Sequence, residues 1–257
     1  LMITRTEVLL TPAEFATLQG RDLSQAVCVV FDVFRATSTM LEAFSNGAAS
    51  IHPVRDIATA LEARKRDATV ILAGERDGFR IGADRTGGIE FDLGNSPREF
   101  TRDRVDGRTV VMTTSNGTRA LDACRGAAEV LATSFANLDA TASWIRERQL
   151  PQLVVVCAGT LDHGSLEDTL GAGALVDRLW ESIRGGWVDD AARTVREVFR
   201  ANRGDLLPLA GSGRNGARLL GLPELADDVP LCLTEDRFRF IARMGRDGLL
   251  RAERTSD

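Results

Sequence analysis

The 257 residues carry 32 basic and 37 acidic side chains, a formal net charge of −5, and 44% hydrophobic residues. That balance argues against nucleic acid or an anionic membrane surface as the main partner, and it leaves ample apolar mass for a core. No run approaches the roughly 20 apolar residues that cross a bilayer, and the first residues lack a signal peptide's apolar segment. The four cysteines, at 28, 124, 157 and 232, have no paired spacing, so buried free thiols in a reducing cytoplasm are expected.

In chain order, the first solid apolar run is 27–31, followed by a helical pattern over 36–46 with Gly47 as its stop and a second helix over 56–66. Further strands are predicted at 69–73, 109–112 and 153–158, with helices over 117–124 and 137–149 between the last two. The segment 78–88, rich in glycine and charge, reads as a loop able to cover a site. These strands are continuously apolar and β-branched, as strands covered on both faces are. Their alternation with helices as far as about 182 predicts an α/β fold with a largely parallel or mixed sheet covered by helices. Beyond it, helices are predicted at 187–200 and 212–220, late strands at 229–233 and 238–242, and a tight turn at Arg246-Asp-Gly248. The chain reads as a single catalytic unit, with room for two closely packed lobes at about 1–135 and 136–257.

Acidic and basic residues stand where these strands end. Asp32 closes the first run with Arg35 three residues on, Glu75 and Arg76 follow the second, and Glu167 and Asp168 open the helix after the fourth. Helix capping, dipole complementation and buried ion pairs account for each motif taken alone. Taken together, Asp32, Glu75, Glu167 and Asp168 form an oxygen-ligand set suited to magnesium, which takes one or two carboxylates, water and substrate phosphate. Thr113-Thr-Ser-Asn-Gly-Thr118, followed by Arg119, offers hydroxyls, an amide and free N–H groups at a helix start, a suitable cradle for an anion. A capped helix with an Asn-Gly turn explains the same residues without a ligand. In Phe91-Asp-Leu-Gly-Asn-Ser-Pro97, Ser96 is the expected N-cap and Pro97 the first helical residue, whereas Asp92 and Asn95 are not needed for that cap. Neither segment is a P-loop or a dinucleotide fingerprint, and with only His52 and His163 a histidine-based centre is disfavoured.

Six segments in order, Asp32-Val-Phe-Arg-Ala-Thr-Ser-Thr39, Gly74-Glu-Arg76, Phe91 to Pro97, Thr113-Thr-Ser-Asn-Gly-Thr-Arg-Ala120, Cys157-Ala-Gly-Thr160 and Ser165-Leu-Glu-Asp-Thr-Leu-Gly-Ala-Gly173, resemble the motif set of the 2-phosphosulfolactate phosphatase (ComB-like) family. The resemblance implies a magnesium-dependent hydrolase that converts 2-phosphosulfolactate to 3-sulfolactate and phosphate, a step of coenzyme M biosynthesis. It also implies an α/β fold distinct from that of the haloacid dehalogenases. Those phosphatases use two aspartates one residue apart, whereas here Phe34 stands two places after Asp32. No Cys-x5-Arg loop is present either, so a metal-activated water is the favoured attacking group.

On this reading Asp32 and one or both of Glu167 and Asp168 hold magnesium with Glu75 available beside them, and Arg35 and Arg76 pair with phosphate, sulfonate or carboxylate. Asn95, Ser96, Thr114, Ser115, Asn116, Gly117 and Thr118 complete the substrate site. The expected partner is a small anionic phosphate ester, and a homodimer is allowed. The chain departs from the family pattern in a longer, charged 78–90 link and in Asn215, which stands where that pattern carries His-Gly. Two other classes of protein remain open at this point. A non-catalytic anion-binding or regulatory domain would need no clustered acids, and a structural protein would not bring the three turns together.

Overall fold

The structure is a computed structural model that describes residues 3–148 and 150–254. Its strands are β1 (Arg5–Leu9), β2 (Ala26–Phe31), β3 (Ser50–Pro53), β4 (Ile71–Arg76), β5 (Phe79–Arg80), β6 (Thr109–Thr113), β7 (Glu129–Thr133), β8 (Gln152–Cys157), β9 (Trp187–Val188), β10 (Phe240–Met244) and β11 (Leu250–Arg254). They form one 11-stranded sheet in the order β5-β4-β6-β3-β11-β10-β7-β2-β8-β1-β9. Two parallel groups, β4-β6-β3 and β7-β2-β8-β1-β9, are joined by the antiparallel β10–β11 hairpin, which pairs with β7 on one side and β3 on the other. The sheet is therefore mixed and largely parallel, as the alternation predicted, with helices on both faces.

The double-sided apolar character of the strands is visible in the core. Side chains alternate across a strand, so β2 sends Val27, Val29 and Phe31 into one buried cluster and Cys28 and Val30 into another. The first cluster lies beneath the helices Leu138–Arg148, Leu166–Ile183 and Asp190–Asn202. The second gathers residues from both parallel groups around the helices Ala36–Ser45 and Gly117–Ala123. A smaller third cluster fills the space between the β4–β6 edge and the helix Ile57–Arg66. Among the described residues, no helix is long and apolar enough to cross a membrane.

Local chemistry sets the helix ends. Asp56 accepts the Thr59 N–H at 2.8 Å as an N-cap, and Gly47, at φ +94°, turns the chain out of Ala36–Ser45. The helix predicted over 137–149 runs as Leu138–Arg148, and residue 149 lies outside the described residues. Two segments differ in type from the reading of the sequence. The start of 187–200 is the edge strand β9, because the Trp187 N–H donates to Thr4 and Asp189 then caps the helix Asp190–Asn202, accepting from Ala192 at 2.6 Å. The run 229–233 is not a strand but most of the helix Asp228–Cys232. An apolar run this short has no decisive periodicity, and the buried contacts of Asp228 fix its conformation.

Candidate active site

A cavity of about 280 Å³ opens where the parallel strands end. Asp32, Phe34 and Arg35 line it after β2, Glu75, Asp77 and Gly78 at the end of β4, and Ser115 and Asn116 after β6. Gly159, Thr160 and Leu161 reach it after β8. In sheet order β6 and β2 are separated by four strands, yet the turn after β6 touches the ends of both β2 and β8. Asn116 donates through Nδ2 to the carbonyls of Ala158 at 2.9 Å and Leu161 at 3.0 Å. Gly117 lies against Asp32 so closely that a Cβ there would come within 2.6 Å of Oδ2. The sheet thus curls to bring three strand-to-helix turns together, an arrangement that caps and surface ion pairs alone do not require.

The acids divide by what their oxygens do. Asp168 is buried, and it accepts from the Val33 N–H at 2.8 Å and the Gly159 N–H at 3.0 Å, which ties the ends of β2 and β8 to the helix Leu166–Ile183. Glu75 accepts from Ser115 N–H at 2.9 Å and Gly78 N–H at 2.8 Å while facing the cavity. Glu167 accepts from Asn215 Nδ2 at 2.7 Å through one oxygen, and its other oxygen is buried without a partner among the described residues. Asp32 accepts the Ala36 N–H at 3.1 Å. Burial, followed by the charges of Glu75 and Glu167, pushes the Asp32 carboxyl up to about 7, against the backbone amides of Ala36 and Gly117 that favour its charged form. Burial likewise raises Glu167, and burial together with the Glu167 and Asp32 charges raises Asp168.

The guanidinium groups are placed unevenly. Arg35 is buried on the cavity wall, donating from Nη1 to Asp228 at 2.7 Å and from Nη2 to the Gly78 carbonyl at 2.8 Å. Arg76 is not among the lining residues; it donates to the Glu75 carbonyl at 2.6 Å and to Thr113 Oγ1 at 3.0 Å. Arg214 and Arg218 line the cavity from the helix Arg214–Leu220. Of the neutral residues, Asn95 faces the cavity with a buried Oδ1 that has no partner. Ser96 instead donates to Asp228 at 2.8 Å, so its side chain does not cap the turn that follows. Thr114 and Thr118 bond each other's backbone, Thr118 N–H to Thr114 Oγ1 at 3.3 Å and Thr118 Oγ1 to Thr114 O at 3.2 Å, and so close the helix start behind the cavity wall. Asp92 holds the Leu72 N–H at 2.7 Å and pairs with Arg64.

Of the residues singled out in the sequence, Asp32, Arg35, Glu75, Asn95, Ser115 and Asn116 therefore share the cavity wall. Gly117 and Glu167 stand directly behind it, each in contact with a wall residue. Arg76, Ser96, Thr114, Thr118 and Asp168 support the strand ends from outside it. Sequence reasoning missed Asp228, Arg214 and Arg218. The two arginines, four apart on a predicted helix, gave a usable signal, whereas Asp228, buried under Arg35, Ser96 and Arg98, gave none.

The fold and cavity define an α/β protein whose parallel strand ends gather buried carboxylates and guanidinium groups around one cavity. The sequence model of the 2-phosphosulpholactate phosphatase family matches residues 13–246, and the chain belongs to that family of phosphoric monoester hydrolases. A relative from Thermotoga petrophila is 38% identical over 213 residues, 83% of this chain and 86% of its own. Relatives from Caldanaerobacter subterraneus subsp. tengcongensis and Gloeobacter violaceus are 35% and 36% identical, covering 92% and 86% of this chain and 95% and 89% of their own. Each carries the name "Probable 2-phosphosulfolactate phosphatase".

Proposed function

We propose that this chain is a magnesium-dependent phosphatase acting on the phosphate ester of 2-phosphosulfolactate, or a similar phosphorylated hydroxy acid, to give 3-sulfolactate and phosphate. The cytoplasm and coenzyme M formation are its proposed setting. The observation that carries this reading is the burial of Asp32 in the cavity wall within reach of the Glu75 and Glu167 charges; burial first, and those charges after it, push its carboxyl up to about 7. No cationic side chain bonds to the carboxylate oxygens of Asp32 or Glu167 among the described residues.

Such a wall suits a hard cation. The donors are oxygens, and one of them, on Glu167, is buried with nothing to satisfy it. Among the described residues, no group of three or more acidic, histidine or cysteine side chains forms a ready-made metal cage. Magnesium needs fewer, since it retains water and shares oxygen with substrate phosphate. Asp32 and Glu167 would hold it, with Glu75 beside them. When bound, it would neutralise charge on the phosphoryl oxygens and acidify a water molecule.

The chain's own residues do the rest of the work. Asp228 and the Gly78 carbonyl keep the Arg35 guanidinium in place on the cavity wall, so it meets an anion without reorganising. Asn95 Oδ1, buried without a partner among the described residues, would accept from a substrate hydroxyl or a water, and Asn116 fixes the turn that carries Ser115 to the cavity. Phosphate release from 2-phosphosulfolactate and related phosphorylated hydroxy acids, measured with and without magnesium, tests the reading. Release should require the ion and fall by at least about 100-fold in both Asp32→Asn and Glu167→Gln, the scale of one strong electrostatic contact to the reacting group. Magnesium-dependent release that survives in both variants would overturn it.

A further inference from the structure

The cavity wall carries both carboxylates and guanidinium groups, and its arginines are not equivalent. Both ends of the Arg35 guanidinium are engaged, by Asp228 and by the Gly78 carbonyl. Arg76 is held by Glu75 O and Thr113. Two others keep their charge available. Arg214 is exposed and has no hydrogen-bonding or ionic partner among the described residues. Among the described residues Arg218 makes one hydrogen bond, from Nη1 to the Asp77 carbonyl at 2.8 Å, and lies against Gly78, which orients the group without neutralising it. The two are four residues apart on the helix Arg214–Leu220 and share one face of it. Both line the cavity at its exposed rim, while Asp32 is buried in its wall.

We infer that Arg214 and Arg218 form a subsite for a second strong acid on the substrate, and that this acid is the sulfonate. The inference rests on the phosphatase reading above for the placement of the phosphate. In 2-phosphosulfolactate the carboxylate and the phosphate ester share one carbon, and the sulfonate sits on the next. With the phosphate held at buried Asp32, the sulfonate, one carbon farther from the ester than the carboxylate, is the acid with the longer reach to the exposed Arg214 and Arg218. A sulfonate is permanently ionised, and its three oxygens accept several N–H donors at once, which two guanidinium forks supply and a single ammonium does not. Arg214 and Arg218 therefore set substrate choice rather than the chemistry, and they distinguish a sulfonated phosphate ester from its unsulfonated counterpart.

Two measurements test this. The first is the ratio of kcat/KM for 2-phosphosulfolactate to that for 2-phospholactate, which lacks only the sulfonate, in wild type, Arg214→Gln, Arg214→Lys and Arg218→Gln. The ratio should fall roughly 10- to 100-fold in the glutamine variants, the scale of a charge-assisted contact, and less in the lysine variant. The second is calorimetric binding of 3-sulfolactate, isethionate and lactate, which needs no turnover. The glutamine variants should weaken the two sulfonates together and leave lactate unaffected, and Arg119→Gln, outside the cavity, should change none of them. An unchanged ratio with unchanged sulfonate binding would overturn the inference, as would weakening of lactate to the same extent. A wild type that binds sulfonates through Arg214 but hydrolyses neither ester would sink the phosphatase reading alone.

Discussion

Arg35 and Asp228, 193 positions apart in sequence, form an ion pair of 2.7 Å in which the side chains are 3% and 0% exposed. The same carboxylate accepts from Ser96 Oγ and Arg98 Nε, both at 2.8 Å. One residue thus joins the turn after β2, the segment before residue 100 and the C-terminal helices at the cavity floor.

Removing one member of such a pair leaves a buried charge uncompensated, which costs about 3–5 kcal/mol. Asp228→Ala should therefore lower the unfolding free energy by that amount in a denaturant titration. Asp228→Asn retains acceptor and donor capacity, so it should cost less in stability while still raising KM through a displaced Arg35. A stable Asp228→Ala protein with wild-type KM would contradict this.

The pH dependence of the metal-free protein follows from Asp32. Its carboxyl moves from 3.8 to about 7 on folding, so between those values the folded state binds more protons than the unfolded one. Stability must then fall as pH rises from about 4 to 7 and level off above, by roughly 4 kcal/mol at most. Glu167, raised in the same direction, adds to the slope. Melting curves at pH 5 and pH 8 in chelator should show the loss, and Asp32→Asn should reduce it. Magnesium should raise the melting temperature more at pH 8 than at pH 5, because at the lower pH protons compete for the same oxygens.

Gly117 is the close-approach residue of the site. A Cβ there would lie 2.6 Å from Asp32 Oδ2 and 2.8 Å from the Ala36 Cβ. Gly117→Ala should cost about 1–3 kcal/mol of stability by overpacking and displace Asp32, with magnesium half-activation moving to higher concentration.

Asn215 bridges Glu167 Oε1 at 2.7 Å and Thr160 Oγ1 at 2.6 Å. Asn215→Ala removes the larger of the two hydrogen bonds that favour the charged form of Glu167, the other coming from its own backbone, so its carboxyl should rise further. The kcat–pH profile should shift its acidic limb upward, with kcat down by roughly 10-fold or more, on the scale of lost positioning. An unshifted limb would separate Asn215 from the chemistry.

The sequence made the parallel strands legible because both faces of each are buried, leaving unbroken apolar runs such as 27–31 and 153–158. It also made the strand-end acids legible, since charge directly after such a run is conspicuous. It hid β1, β3 and β7, whose polar residues, such as Glu7 and Glu129, pair with Arg21 and Arg243 in the fold and interrupt the pattern. Nor did it separate wall residues from the supports behind them. Arg35 and Arg76 occupy similar places after their strands, and only the three-dimensional positions of Asp228 and Thr113 decide which guanidinium faces the cavity. The same holds for Thr114 and Ser115, adjacent in sequence and opposite in direction.

The hairpin Phe240–Met244 and Leu250–Arg254 follows every other described strand in the chain, yet it lies in the middle of the sheet, between β7 and β3. During synthesis, the strand groups carrying Asp32 and Glu75 both exist before the piece that joins them. Each keeps an unpaired edge until then, and the two groups that line the cavity become one sheet only when the chain has been extended through that hairpin.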